Sequence, residues 1–137
     1  MITIGEYVGI WHDSVDWTPD KQTNAQELLR RVNGLLKEYE IQGGILQINQ
    51  KTRSQVSGET YGGFRPLSCP IGASKSSHKL GMAVDVYDPM NLLDVWIDKN
   101  PKVLDEFDLY REHPSATQHW CHLGSKAPKS GKRTFFP

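Results

Sequence analysis

Histidine and carboxylate side chains set near strand ends are the groups in this chain most able to do chemistry. Neutral imidazole and carboxylate are the donors that zinc uses in catalytic sites. Three positions stand out. His78 and Asp85 flank a turn at Gly81, and His122 lies 37 residues beyond Asp85 in a second apolar segment. Spacing alone is a weak signal, since an Asp on a strand is often an edge residue and a His beside a Trp is often a satisfied core residue.

The elements that must position these groups can be read from pattern. Residues 82–87 (Met-Ala-Val-Asp-Val-Tyr) combine β-branched and small side chains and read as a strand. Period 2 puts Ala83, Asp85 and Tyr87 on one face and Met82, Val84 and Val86 on the other. The small Ala83 leaves space above Asp85. In the segment His119-Trp120-Cys121-His122-Leu123 the same rule pairs Trp120 with His122 and turns Cys121 and Leu123 away. A helix is expected over 24–40, where Ala25, Leu28, Leu29, Val32, Leu35, Leu36 and Tyr39 share one face. Thr23 and Gln26 suit a capping box, and Gly43-Gly44 follows its end. Short strands are expected at 44–50 and 55–60. A long irregular stretch, 62–77, then leads to the Gly81 turn, and loops of that length are more often functional than idle. Asp88-Pro89 and Asn100-Pro101 each suggest an N-cap followed by Pro at N1, opening two helices through Leu92–Ile97 and Val103–Phe107.

These elements make one α+β domain, in which a small antiparallel sheet packs against helices. The length of 137 residues suits a single domain spanning 1–137, and 37% hydrophobic with 23% charged residues is a globular composition. Sixteen basic residues balance sixteen acidic ones, which gives no electrostatic reason to expect nucleic acid or an anionic membrane as partner. The basic run Lys126, Lys129, Lys132 and Arg133 reads as a solvated tail rather than a binding patch. No apolar run reaches a membrane span, and the first residues lack the basic and apolar regions of a secretory signal. Cys69 and Cys121 are too few for a disulfide scaffold. Both are expected to be reduced and structural, with a single bridge as the alternative. Trp11, His12, Asp13 and Trp17 suit either core packing or a groove lining.

Ser76-Ser77-His78-Lys79-Leu80-Gly81-Met82-Ala83-Val84-Asp85 resembles the S-x-H-x-x-G-x-A-x-D signature of the zinc D-Ala-D-Ala carboxypeptidase and L-alanyl-D-glutamate endopeptidase family. That group includes phage endolysins and vancomycin-resistance dipeptidases, and it has a structural relative in the Hedgehog signalling domain. All five fixed positions match. Trp120-Cys121-His122 resembles the W-x-H segment bearing the family's last ligand, and Gly63-Phe64-Arg65 resembles its S-G-Y-R segment. The tail Arg133-Thr134-Phe135-Phe136-Pro137 is similar to that of phage-encoded members. The resemblance spans roughly residues 24–123.

It implies a Hedgehog/DD-peptidase-like fold in which His78, Asp85 and His122 hold Zn2+ with one position open, as catalysis by zinc requires. Gly81 would permit the turn bringing His78 over Asp85. Ser76 would bond substrate or hold the loop, and Arg65 would offer its planar fork to a peptide carboxylate or the scissile carbonyl. The implied reaction is hydrolysis of a peptide bond in the peptide stem of peptidoglycan, by a phage- or prophage-type lysis enzyme made in the cytoplasm and acting on the wall after release. A monomer with peptidoglycan peptide as its partner is expected. The general base is open: many members have Glu three residues before the last His, where this chain has His119. Glu112 in the preceding loop is the leading candidate and His119 the next, with Gln118, Asp88 or no base at all remaining. The alternative function is a non-catalytic, metal-bound binding module, which a fourth protein ligand such as Cys69 would favour.

Overall fold

The computed structural model describes residues 1–72 and 76–137. A short helix α1 (Ile4–Val8) opens the chain, and the long helix α2 (Pro19–Ile41) follows. Strand β1 (Ala83–Tyr87) leads through helices α3 (Leu92–Lys99) and α4 (Lys102–Glu106) to strands β2 (Tyr110–Glu112), β3 (Trp120–Gly124) and β4 (Thr134–Phe135). The sheet order is β1-β3-β2-β4. The first two pairings are antiparallel and β2-β4 is parallel, so the sheet is mixed rather than purely antiparallel. Among the described residues, no helix is long and apolar enough to cross a membrane.

Helix α2 buries the face its sequence marks: Ala25, Leu28, Leu29, Val32, Leu35, Leu36 and Tyr39 are all in the core. Each large side chain of this stripe contributes about 1.5–3 kcal/mol by leaving water. The helix starts five residues earlier than its periodicity suggests. Thr18 is the N-cap residue and Pro19 the first helical residue, where a missing N–H costs nothing. Thr23 therefore caps nothing; it lies inside the helix, and its hydroxyl donates to the Pro19 carbonyl at 3.0 Å. The capping box belongs to α1, where Thr3 and Glu6 satisfy each other's backbone amides.

No strand forms at 44–50 or 55–60. The first holds only an isolated bridge from Asn49 to Ser54, the second one from Val56 to Val86. Residues 55–62 instead cover the outer edge of β1. Tyr87 N donates to Gln55 O at 2.7 Å, Ser57 N to Asp85 O at 2.8 Å, and Asp85 N to Gly62 O at 2.7 Å. Such cover removes a free sheet edge. The irregular stretch expected at 62–77 contains residues 73–75, which lie outside the described residues; the flanking positions are indeed free of helix and strand until a 3-10 turn begins at Ser77.

Helix α3 starts three residues later than an Asp88 N-cap would require, because Asn91 adopts left-handed geometry (φ 56°) just before Leu92. Asp88 still serves the helix end. Its buried carboxylate accepts from Leu93 N and Asp94 N, both at 3.1 Å, satisfying two amides of the first turn. The 126–133 segment ends in a docked residue rather than free solvent. Arg133 donates to Asp105 at 3.0 Å and Asp108 at 2.9 Å and lies over the Tyr110 ring, which anchors β4 beside β2.

Candidate metal centre

Asp85 and His122 are directly opposed partners in the β1-β3 ladder, so their side chains rise from one face of the sheet. His122 Nδ1 lies 2.9 Å from Asp85 Oδ1. Their neighbours on the same face, Ala83 and Gly124, form the pair two steps along that ladder and keep the floor low. His78 arrives from the 3-10 turn Ser77–Leu80, which Gly81 closes in left-handed geometry at φ 73°. Met82 N donates to Ser77 O at 2.9 Å, folding the turn back over the strand. Helix α2 supports it from behind: Asn24 Nδ2 donates to Leu80 O at 3.0 Å.

The imidazole of His78 is oriented by its own backbone surroundings. Its Nδ1 is 2.8 Å from Gly63 O, a contact that requires the proton on Nδ1 and leaves Nε2 as the free donor atom. That Nε2 lies 3.4 Å from Asp85 Oδ1. Gly63 is held where it is because Phe64 N donates to Tyr7 O at 3.0 Å. The Tyr7 hydroxyl in turn donates to Ala83 O at 2.9 Å, tying α1 to β1 beneath the centre.

Donor atoms of His78, Asp85 and His122 all lie within 4.8 Å of one another. Ligands about 2.0–2.2 Å from a tetrahedral zinc stand roughly 3.4 Å apart, so two imidazoles and one carboxylate at these separations fit such an ion. Cys69 is buried elsewhere, with its carbonyl bonded to Lys79, and does not join the group. Cys121 points through the sheet into the core, as alternation requires, and both thiols are free.

Charges around the centre are coupled. Burial alone would raise the Asp85 carboxyl, but the His78 and His122 imidazoles outweigh it and hold the group well below the usual carboxylate range. Burial pushes His122 down, yet the hydrogen bond and charge of Asp85, with Glu112 beyond, leave it raised. Arg65 completes the picture: its Nη2 stands 3.6 Å from Asp85 Oδ2, while its Nε donates to Tyr61 O at 2.8 Å.

Glu112 comes to the centre on a strand, not on a loop folded back. Arg111 pairs with Leu123, so the next step along β2 sets Glu112 across from His122. Its Oε2 is 3.4 Å from His122 Nδ1. Glu112 also pairs with Phe135 of β4. One row thus crosses the sheet as Asp85, His122, Glu112, Phe135. His119 lies outside this row. It is exposed with φ 80°, its amide donates to Asn91 Oδ1 at 3.0 Å, and its Nδ1 sits 3.1 Å from Pro89 O. Asp88 is likewise spent on α3, and Gln118 is not among the cleft residues. The row opens into a cleft of about 420 Å³ whose lining includes Arg65, Ser76, Glu112, Thr117, Trp120 and Phe135.

Two features escaped the sequence reading. Lys79, inside the motif, is buried, and its ammonium donates to the carbonyls of Cys69 (2.7 Å) and Leu67 (3.4 Å), fastening the 67–69 loop to the His78 turn. Beneath the sheet, buried Arg111 pairs with Asp94 at 3.1 Å and with Asp98. Trp11 and Trp17 pack against the core, whereas His12 and Asp13 form an exposed pair.

Comparison with family models, with curated proteins and with solved structures returned no match to this chain.

Proposed function

We propose that this protein is a zinc peptidase that hydrolyses a peptide bond in the peptide stem of bacterial peptidoglycan. The observation that carries the reading is the convergence of His78, Asp85 and His122 donor atoms beside a carboxylate, Glu112, that is not needed as a ligand. The His/Asp/His set with an adjacent free carboxylate supports hydrolysis over mere metal storage, since three protein ligands leave a coordination position open. The S-x-H-x-x-G-x-A-x-D stretch supports the substrate class and a DD-peptidase- or Hedgehog-like kinship. A phage- or prophage-type lysis role belongs to the same proposal.

A zinc ion held by His78 Nε2, Asp85 and His122 Nδ1 would supply Lewis acidity, drawing electrons from the scissile carbonyl and lowering the pKa of water toward about 7. Glu112 Oε2 takes the proton of the attacking water and delivers it to the departing nitrogen. Gly63 O keeps the His78 ring in one tautomer, so the donor atom does not have to be selected at each turnover. Arg65, at the Asp85 end of the row, presents a guanidinium to a carboxylate on the leaving side of the peptide. Ser76 lines the same cleft, and its hydroxyl would bond the peptide backbone.

The test is turbidity loss and release of amines from purified peptidoglycan, with zinc content measured on the same samples. Wild type is expected to release amines and zinc-loaded Glu112→Gln to release them at least about a hundredfold more slowly. Fully zinc-loaded wild type that releases nothing removes the peptidase reading and leaves the non-catalytic binding module.

A further inference from the structure

The 133–137 segment does more than finish the sheet. Strand β4 is only two residues long, yet it is fixed on both sides of its length: Arg111 N donates to Arg133 O and His113 N to Phe135 O, each at 2.7 Å. The Arg133 side chain adds its carboxylate partners and the Tyr110 ring. A segment held this way has a defined wall to offer. Phe135, paired with Glu112, places its ring centroid 6.4 Å from that of His122, nearly perpendicular to it, and lines the cleft together with Pro137. Phe136 points elsewhere, stacked on the half-buried His113 ring at 4.4 Å.

Phe135 and Arg65 therefore stand at opposite ends of the row formed by Asp85, His122 and Glu112. A guanidinium at one end suits the carboxylate-bearing side of a substrate, and an aromatic face at the other suits a small apolar one. The two stem bonds that such a peptidase would cut, D-alanyl-D-alanine and L-alanyl-D-glutamate, have this asymmetry: alanine supplies the carbonyl and a carboxylate-bearing residue supplies the nitrogen. Resting on the peptidase reading, we propose that Phe135 is a specificity-determining residue whose ring packs against the methyl group of that alanine and excludes larger side chains.

The experiment uses zinc-loaded full chain and two synthetic stem peptides, one natural and one with leucine in place of the alanine whose carbonyl is cut, the cut bond being located by mass spectrometry. Wild type is expected to prefer the alanine peptide. In Phe135→Ala the alanine-to-leucine ratio of kcat/KM should fall at least about tenfold, the scale set by one or two methylenes in an apolar pocket. Phe136→Ala should keep the wild-type ratio. Circular dichroism and zinc content control for folding, and Phe135→Leu, which keeps an apolar wall, provides a milder variant with an intermediate ratio. Binding of the uncleaved peptides to Glu112→Gln, followed by calorimetry with and without Phe135→Ala, reads the same preference without turnover. An unchanged ratio in a folded, active Phe135→Ala overturns this inference alone. Absence of both hydrolysis and binding in zinc-loaded wild type overturns it together with the reading it rests on.

Discussion

Glu112 and His122 face each other across adjacent strands, with Oε2 3.4 Å from Nδ1. The carboxylate is half-covered by the cleft, close enough to the proposed ligand His122 to act on water there and distinct from the three donors that converge. Removing its charge while keeping its shape separates the two roles. Glu112→Gln should retain one zinc per chain and lose about 10²- to 10⁴-fold in kcat, the usual contribution of a general base. His119→Ala should stay within about twofold of wild type, because that ring is bonded to the Pro89 carbonyl outside the cleft. Steady-state kinetics on the two variants decide between them, and a His119→Ala collapse with an active Glu112→Gln would reverse the assignment.

The proposed ligand set predicts a coupling between metal and stability. Asp85 and the two imidazoles are brought together from a turn and two strands, so an ion held between them stabilises the folded chain by mass action. At a hundredfold excess of zinc over its dissociation constant the gain is about 2.7 kcal/mol, or roughly 10 °C in Tm for a chain of this size. Chelation should remove that increment, and readdition of zinc should restore it. His78→Ala and Asp85→Ala should show no zinc-dependent shift by differential scanning fluorimetry; a full shift in either variant would remove that residue from the ligand set.

Under the sheet, Asp94 makes stability depend on pH. Burial pushes its carboxyl up to about 6, with Arg111 opposing the rise and Asp88 adding to it. Asp98 on the same helix shares Arg111, and the Cys121 thiol, itself pushed up by burial, completes the layer. Because the folded pKa lies above the ordinary value of 3.8, the folded protein holds a proton that the unfolded chain releases. This group's contribution is therefore fully present below about pH 4 and is lost as pH rises through about 6, by at most about 3 kcal/mol. Urea denaturation at pH 4.5 and 7.5 should show the difference, and Asp94→Asn should remove that component of the slope. Equal slopes in the two proteins would refute the assignment.

Legibility in the sequence followed the range of the interactions involved. The buried face of α2 is a local periodicity, and Ala25 through Tyr39 are read correctly from it. The opposed Asp85 and His122 follow from period 2 on two strands, which fixes the facing side chains once the strands pair. What was not legible depends on distant partners. Tyr110–Glu112 is three residues long and Thr134–Phe135 two, too short to carry a pattern, so neither the place of Glu112 nor the parallel β2-β4 pairing could be read. Ile45, Leu46 and Ile48 have strand-like composition but no ladder partner, and Ile45 remains largely exposed. The start of α2 lies before the expected one because Thr23 and Gln26 imitate a capping box inside a helix whose N-cap position is Thr18, followed by Pro19.

Gly81 offers the sharpest test of how the centre is built. Its φ of 73° lies where a Cβ costs about 1 kcal/mol or more, and a Cβ there would stand 2.6 Å from the Lys21 carbonyl oxygen of α2. Backbone cannot yield as a side-chain tip can, so either the Ser77–Leu80 turn or the first turns of α2 must shift. The turn is the softer of the two, being a single 3-10 turn, while α2 is pinned by its buried stripe. Gly81→Ala should therefore lower stability by roughly 2–3 kcal/mol and, by moving His78 Nε2 away from Asp85, weaken zinc binding about 10- to 100-fold. Competition with a chromophoric chelator measures the second effect independently of the first. If the variant is destabilised but binds zinc as tightly as wild type, α2 has yielded instead, and the turn does not set the position of His78.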